Sequence, residues 1–197
     1  MYERMSRGSG EQRFMEPLRQ KILARAHGLV LEVGAGNGLN FPLYDPARVE
    51  RVEAIEPDPA MLLYARERVK AARVPIMLTQ ASVEALPFDD ATFDCAVVTL
   101  VFCSVPNPLQ GLQEIRRVLK PGGSLLMVEH VRSRTAFLRG VQSVLVPLTT
   151  RMCGNCHWNR DTLSTVRSAG FQVSYKQDYG GFLMPYILLE ATNSPST

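Results

Sequence analysis

The stretch Leu29–Gly38, LVLEVGAGNG, restricts what this 197-residue chain can fold into more than any other. Apolar Leu29, Val30, Leu31 and Val33 carry one carboxylate, Glu32, and run into Gly34, Gly36 and Gly38 at alternate positions. A β-type apolar run breaking into a glycine-rich turn is how a buried parallel strand ends beneath a nucleotide-like ligand. Lacking Cβ atoms, the glycines let the backbone bend sharply and approach a ligand closely. The spacing is G-x-G-x-G. A dinucleotide fingerprint needs G-x-G-x-x-G, with glycine where Leu39 stands.

Strand and helix signals follow in order. Phe14, Leu18, Ile22, Leu23 and Ala26 fall at helical spacing, with Pro17 tolerable in a first turn, and His27-Gly28 ends that helix. Such a helix is free to cover the mouth of a site or to pack on the sheet. Arg51–Glu56 reads as a second strand halted by Pro57 and Pro59. Glu56 closes it eighteen residues beyond Gly38, where a carboxylate takes both ribose hydroxyls of an adenosine. Two acceptor oxygens match two vicinal donors. Met61–Ala71 reads as helix, Pro75–Thr79 as a third strand and Phe93–Val98 as a central, doubly buried fourth. Leu109–Leu119 is amphipathic, Lys120–Gly123 a turn, and Ser124–Glu129 a fifth strand. Thr162–Ala169 reads as a last helix, Phe171–Lys176 and Met184–Ala191 as the final strands, and Thr192–Thr197 as a disordered tail.

Composition is ordinary for a globular chain, 46% hydrophobic and 21% charged, and the net charge of +3 argues no nucleic-acid partner. The longest apolar run, Ala96–Val105, is too short to cross a membrane and carries Thr99 and Ser104. A polar N-terminus without a signal-peptide core and four cysteines suited to reduced thiols set the expected location as cytoplasmic. No residue pattern specifies an oligomeric state.

Three segments together carry a resemblance: E-x-G-x-G-x-G at Glu32–Gly38, ASVEALPF with DDATFD at Ala81–Asp94, and QEIRRVLKPGGSLLMVEH at Gln113–His130. Over residues 28–130 the chain resembles the class I S-adenosylmethionine-dependent methyltransferases. The resemblance implies an α/β fold, a Rossmann-like doubly wound sheet of about seven strands, mostly parallel with an antiparallel last strand. It implies one domain: a helical segment at 1–27, a cofactor-binding core at 28–130, a substrate-side insertion at 131–160, and a helix and strand pair at 161–191. The implied cofactor is S-adenosyl-L-methionine, with S-adenosyl-L-homocysteine as product and a small molecule as acceptor. Glu32 would help hold the methionine ammonium, within a loop of Gly34, Ala35, Gly36, Gly38 and Asn40. Glu56, Pro57 and Met61 would flank the ribose, and Ser82, Val83 and Glu84 the adenine. Ser82 stands where the family often has Asp, a weaker acceptor for the adenine amino group. Thr99, Leu100 and Phe102, at the carboxyl end of the fourth strand, would border the methyl-transfer centre.

TLVFCSV after strand four, VEHV at Val128–Val131 and C-H-x-N-R-D-T at Cys156–Thr162 are similar to the methyltransferases of alkyl and other small thiols. Quinone or phospholipid-headgroup methylation is the alternative, and a non-catalytic cofactor-binding module another. His130 is the candidate base or acceptor-positioning group; a histidine fixing a loop through a carbonyl is the plainer reading. His157 and Arg160 are candidate acceptor contacts, Arg160 either drawing an anionic acceptor or tying its loop to the sheet. Cys153-Gly154-Asn155-Cys156-His157 matches a haem attachment pattern, but no export signal precedes it. Zinc would need further ligands, with only His27 and His130 as extra imidazoles, so the expected metal is none. Phe137, Val141, Val144, Leu145 and Leu148 make one apolar helical stripe among Arg132, Arg134, Arg139, Arg151 and Arg160. That pattern suits either a helix lying on the domain or a weak membrane-surface contact through 134–148.

Overall fold

The computed structural model describes residues 11–152, 155–180 and 184–194. Residues 1–10, Cys153 of the haem-like pattern, and residues 195–197 of the tail expected to be disordered lie outside them. The strands are β1 (Gly28–Val33), β2 (Val49–Ile55), β3 (Ile76–Thr79), β4 (Phe93–Thr99), β5 (Leu119–His130), β6 (Gln172–Gly180) and β7 (Pro185–Thr192). They form one sheet in the order β3-β2-β1-β4-β5-β7-β6, parallel except where β7 runs antiparallel between β5 and β6. This is the doubly wound arrangement expected from the sequence.

Alternate residues of the buried strands feed two cores. Leu31, Val33, Phe93, Ala96 and Val98 face a layer containing Leu112, Ile115 and Val118 of α3 (Pro108–Val118) and Val166 of α5 (Thr162–Ser168). Val30, Val52, Cys95, Val97 and Val128 face α1 (Glu16–Leu23), through Leu18, Ile22 and Leu23, and α2 (Pro59–Val69), through Ala65. Pro17 sits in the first turn of α1, where a missing N–H costs nothing. Asp58 and Asn107 cap α2 and α3 by accepting from Ala60 N and Gln110 N, each followed by proline at the first helical position.

Three expectations need correcting. The Lys120–Gly123 turn is absorbed into β5: Leu119 already pairs with Phe93, and a register shift before Cys95 takes up the extra residues. The tail is ordered through Ser194, because the Asn193 side-chain amide donates to the carbonyls of Arg116, Leu119 and Lys120 at 3.1, 2.8 and 3.2 Å. Of the apolar stripe, only Val141 and Leu145 are partly covered. In α4 (Ala136–Met152), Phe137, Val144 and Leu148 are 77%, 79% and 61% exposed, while Gln142 and Val146 are buried. Gln142 turns inward because its amide accepts from Ser133 N at 2.7 Å and donates to the carbonyls of Val131 and Trp158. Polar satisfaction of a buried junction sets the rotation of this helix, not its apolar stripe.

Candidate active site

The strand order reverses between β1 and β4, so a crevice opens at their carboxyl ends, the switch point of such sheets. Gly34, Gly36 and Gly38 line it with φ of 64°, 56° and 82°. A Cβ on Gly34 would lie 2.5 Å from the Val101 side chain, and one on Gly38 2.6 Å from the Phe41 ring. The turn therefore admits no side chain there, and bare backbone faces the crevice. Ala35 N donates to Ile55 O at 2.9 Å, fastening the loop to β2. Glu56 joins the same wall: its carboxylate accepts from Gly36 N at 2.8 Å and Asp58 N at 3.0 Å. Burial pushes its pKa up, against those two backbone donors. Pro57 is exposed beside it and Met61 half-buried in the first turn of α2.

At the other end of the glycine turn lies a buried polar group. Glu32, Asn40, Arg19 and Thr99 are 2%, 1%, 5% and 8% exposed. Asn40 Nδ2 donates to Glu32 Oε1 at 3.0 Å and Tyr44 OH to Glu32 Oε2 at 2.8 Å. Arg19 Nη1 donates to Asn40 Oδ1 at 3.0 Å and Thr99 Oγ1 at 2.7 Å, from eighty residues away in sequence. Burial raises the Glu32 pKa to about 7, opposed by those two hydrogen bonds and the Arg19 charge. Burial and the same carboxylate push the Tyr44 hydroxyl up. Glu32 thus spends its oxygens inside the fold, and Asn40 links it to Arg19 and Thr99. Leu100 follows at φ 59°, a conformation costly for a leucine, held by its N–H on Val128 O at 2.8 Å.

Ser82–Glu84 forms a tight turn in which Glu84 N donates to Ser82 Oγ at 3.3 Å. Glu84 also accepts from Asn107 N at 2.7 Å, coupling this turn to the start of α3, while Val83 is buried. The segment expected to border the methyl-transfer centre turns away in part: Phe102 is fully buried in the core, its ring edge 3.2 Å from where a Gly111 Cβ would stand. Buried Glu129 of β5 holds that segment, accepting from Val101 N at 2.6 Å and Phe102 N at 2.8 Å. Its second oxygen has no hydrogen-bond partner among the described residues, and burial raises its pKa to about 8.

Beyond β4, Arg160 Nη1 donates to the carbonyls of Phe102 and Val105, both at 2.6 Å. His157 N donates to Cys103 O at 2.7 Å, and the ring lies 3.2 Å from Asn155 Oδ1. Burial and the Arg160 charge lower its pKa. His130 is half-buried at the end of β5, its ring 4.3 Å from that of Tyr186, which lies 5.1 Å from Phe14. His130 Nδ1 is 3.9 Å from Cys156 Sγ, and Nε2 is buried with no partner among the described residues. His27 sits at the opposite end of the sheet, beside the start of β1, with Nδ1 3.1 Å from Arg25 O.

Sequence reasoning missed Arg19, Tyr44, Glu129 and the approach of Cys103 to His130. Only Glu129 carried a local signal, a carboxylate directly ending the apolar run Leu125–Val128 inside a strand.

The profile of the family described as "Methyltransferase domain" matches residues 31–127. Thiol S-methyltransferase TMT1B of Homo sapiens is 31% identical over 173 residues, covering 81% of this chain and 69% of that protein. TMT1B of Rattus norvegicus is 33% identical over 148 residues, 72% of this chain, and the chain spans only 59% of its length. Phosphatidylethanolamine N-methyltransferase of Cereibacter sphaeroides is 38% identical over 120 residues, 60% of this chain and 58% of that protein. Among solved structures, the [4+2]-cyclase SpnF superposes with a TM-score of 0.77 over 97% of this chain and 84% of its own. At 18% identity that likeness shows the fold alone.

Proposed function

This chain belongs to the class I S-adenosylmethionine-dependent methyltransferases, and from that premise we propose that it methylates the sulfur of a small thiol. One observation carries the choice of acceptor. The match to the thiol S-methyltransferases covers 81% of the chain, more than residues 1–130 contain, so it runs into the acceptor side. The match to the phosphatidylethanolamine enzyme covers 60%, which the cofactor-binding core with its flanks can hold.

The residues fit the cofactor. An amino acid's ammonium and carboxylate need an anion and a cation at one end of the crevice, and Glu32 and Arg19 supply them through Asn40 and Thr99. Glu56, at the other end of the glycine turn, offers two acceptor oxygens to a ribose diol, and Ser82–Glu84 borders the adenine. When bound, S-adenosylmethionine supplies a methyl group on a sulfonium, whose departure needs no acid. The protein then aligns donor and acceptor and excludes water. Leu100 and Thr99 form the floor between them, and Glu129 keeps the following segment in place. His130 positions the acceptor, Arg160 ties the loop that closes over it, and His157 fixes that loop at Cys103.

The described cysteines Cys95, Cys103 and Cys156 stand as thiols, which suits action in the cytoplasm. No described helix is long and apolar enough to cross a membrane. A weak contact with an anionic lipid surface through 134–148 is the second reading, favoured by exposed Phe137, Val144 and Leu148 beside Arg134 and Arg139.

Calorimetry with S-adenosylhomocysteine against NAD tests the cofactor: only the former should bind. A radiolabelled-methyl screen over thiols, phenols, amines and lipids tests the acceptor. Label appearing in a lipid amine or a quinone ring, and in no thiol, would overturn the reading.

A further inference from the structure

The fold gathers three soft or borderline ligand groups that sequence spacing kept apart. Cys103 follows β4, His130 ends β5, and Cys156 follows α4; one ligand atom from each lies within 4.8 Å of the others. Zinc bond lengths of about 2.3 Å to sulfur and about 2.0 Å to nitrogen imply tetrahedral separations of roughly 3.8 Å between sulfurs and roughly 3.5 Å from sulfur to nitrogen. The Cys156–His130 separation of 3.9 Å is already near that, and no pair in the cluster needs to contract by more than about 1.3 Å. Two thiolates and a neutral imidazole suit a soft or borderline cation over calcium or magnesium, which take oxygen.

The surroundings point the same way. Glu129 is fully buried beside the cluster with one oxygen lacking a partner among the described residues. Arg160 is a cation close to Cys103, Glu129 and Cys156. Two thiolates match the charge of a divalent ion. Cys103 is buried, whereas His130 and Cys156 are half-exposed, and among the described residues the cluster has three ligand groups. Three protein ligands with an open fourth position is the pattern of a reactive zinc centre; a structural one is closed by four. The site stands at the carboxyl ends of β4 and β5, next to the crevice, with Thr99 paired to Val128 two residues before His130.

We propose that Cys103, His130 and Cys156 hold a zinc ion whose fourth position takes the sulfur of the acceptor. The fourth-position assignment rests on the thiol reading above; the three-ligand site does not. Each cysteine releases its proton to solvent on binding the ion, as does the acceptor thiol, which is then a thiolate at neutral pH. Its sulfur lone pair forms the new bond to the methyl carbon. The carbon–sulfonium bond breaks, with its electron pair staying on the departing sulfur, which becomes neutral. The product is an uncharged thioether, a weak ligand that vacates the fourth position. His130 acts here as a ligand that positions the acceptor.

The test uses the reduced full chain and Co2+ as a spectroscopic probe for zinc. One cobalt ion per chain should bind, with thiolate-to-cobalt charge-transfer absorption that zinc abolishes. Cys103→Ser and Cys156→Ser should each weaken binding by at least about 100-fold, since loss of even an outer partner costs about 10–100-fold. Cys95→Ser, a thiol outside the cluster, should bind normally, and S-adenosylhomocysteine binding reports whether each variant is folded. Ethanethiol should alter the visible cobalt bands of the wild type. Absence of the cobalt spectrum, its persistence in both serine variants, or a Cys103–Cys156 disulfide forming in place of ion binding would each overturn the site. A cobalt spectrum indifferent to ethanethiol overturns the fourth position. Thiol methylation that survives chelation of a metal-free enzyme removes the zinc and spares the thiol reading. A normal cobalt spectrum with no thiol methylated does the reverse.

Discussion

Replacing Glu32 by Gln separates what this carboxylate costs the fold from what it does for the crevice. Glu32 is 2% exposed, and burial raises its pKa from 4.5 to about 7. The unfolded chain therefore gives up this proton near pH 4.5 while the folded chain keeps it until about pH 7. Stability is fully present below pH 4.5, falls as pH rises through that window, and levels off above it. At about 1.4 kcal/mol per pH unit the loss is about 3 kcal/mol. Glutamine fits the same contacts: its carbonyl accepts from Asn40 Nδ2, and its amide donates to the Tyr44 hydroxyl, which can turn to accept. Glu32→Gln should match the wild type at pH 4 and exceed it by about 3 kcal/mol at pH 8, or about 6–12 °C in Tm for a chain of this size. Urea unfolding at both pH values reads the difference, and taking it between proteins cancels the other titrating groups. The same substitution removes a negative charge from the methionine end, so S-adenosylhomocysteine should bind about 10–100-fold more weakly, the worth of one charge-assisted hydrogen bond. A stability difference that is equal at the two pH values would refute the reasoning, because Glu32 would then titrate alike folded and unfolded.

Three further outcomes follow from the site. His130→Ala should slow turnover at least about tenfold with S-adenosylhomocysteine affinity nearly unchanged, and a normal rate would remove His130 from the acceptor site. Glu56→Gln should weaken S-adenosylhomocysteine binding by about tenfold or more in calorimetry while adenine alone loses little, since a diol loses half its charged acceptor. Phe137→Ser with Leu148→Ser, both at exposed positions, should leave the melting temperature within a few degrees. In sedimentation with anionic vesicles the pair should abolish whatever co-pelleting the wild type shows, and unaltered co-pelleting would clear α4 of lipid contact.

The sheet was legible because its signals are local. LVLEVGAGNG, RVEAIEPDP and FDCAVV each combine strand propensity with a stop, and their order along the chain dictates a doubly wound sheet. Glu56 was legible for the same reason, as the last residue of a strand before two prolines. Arg19 was not: a cation at one position of an amphipathic helix looks solvated until the helix is docked and the side chain meets Thr99, eighty residues on. The rotation of α4 was hidden likewise, since the apolar stripe outnumbers the single glutamine whose amide decides which face turns in. Cys103, His130 and Cys156 belong to three different connections, and no periodicity within one segment reports on the other two.

These long-range contacts converge on α1 and the turn before it. Through Arg19 the helix reaches Asn40 and Thr99, at the end of the crevice proposed for the methionine moiety. Through Phe14 the preceding turn leans on Tyr186, whose ring lies against His130 at the proposed acceptor end. One short segment therefore touches both halves of the proposed site, although it contributes nothing to the sheet. Met15, Leu18, Ile22 and Leu23 anchor it in the core on one side, so its position is set by apolar packing and not by the ligands it faces. A methyl transfer that relies on alignment and exclusion of water needs that kind of wall. Donor and acceptor are then held by the same rigid piece, and a shift of α1 would loosen both together.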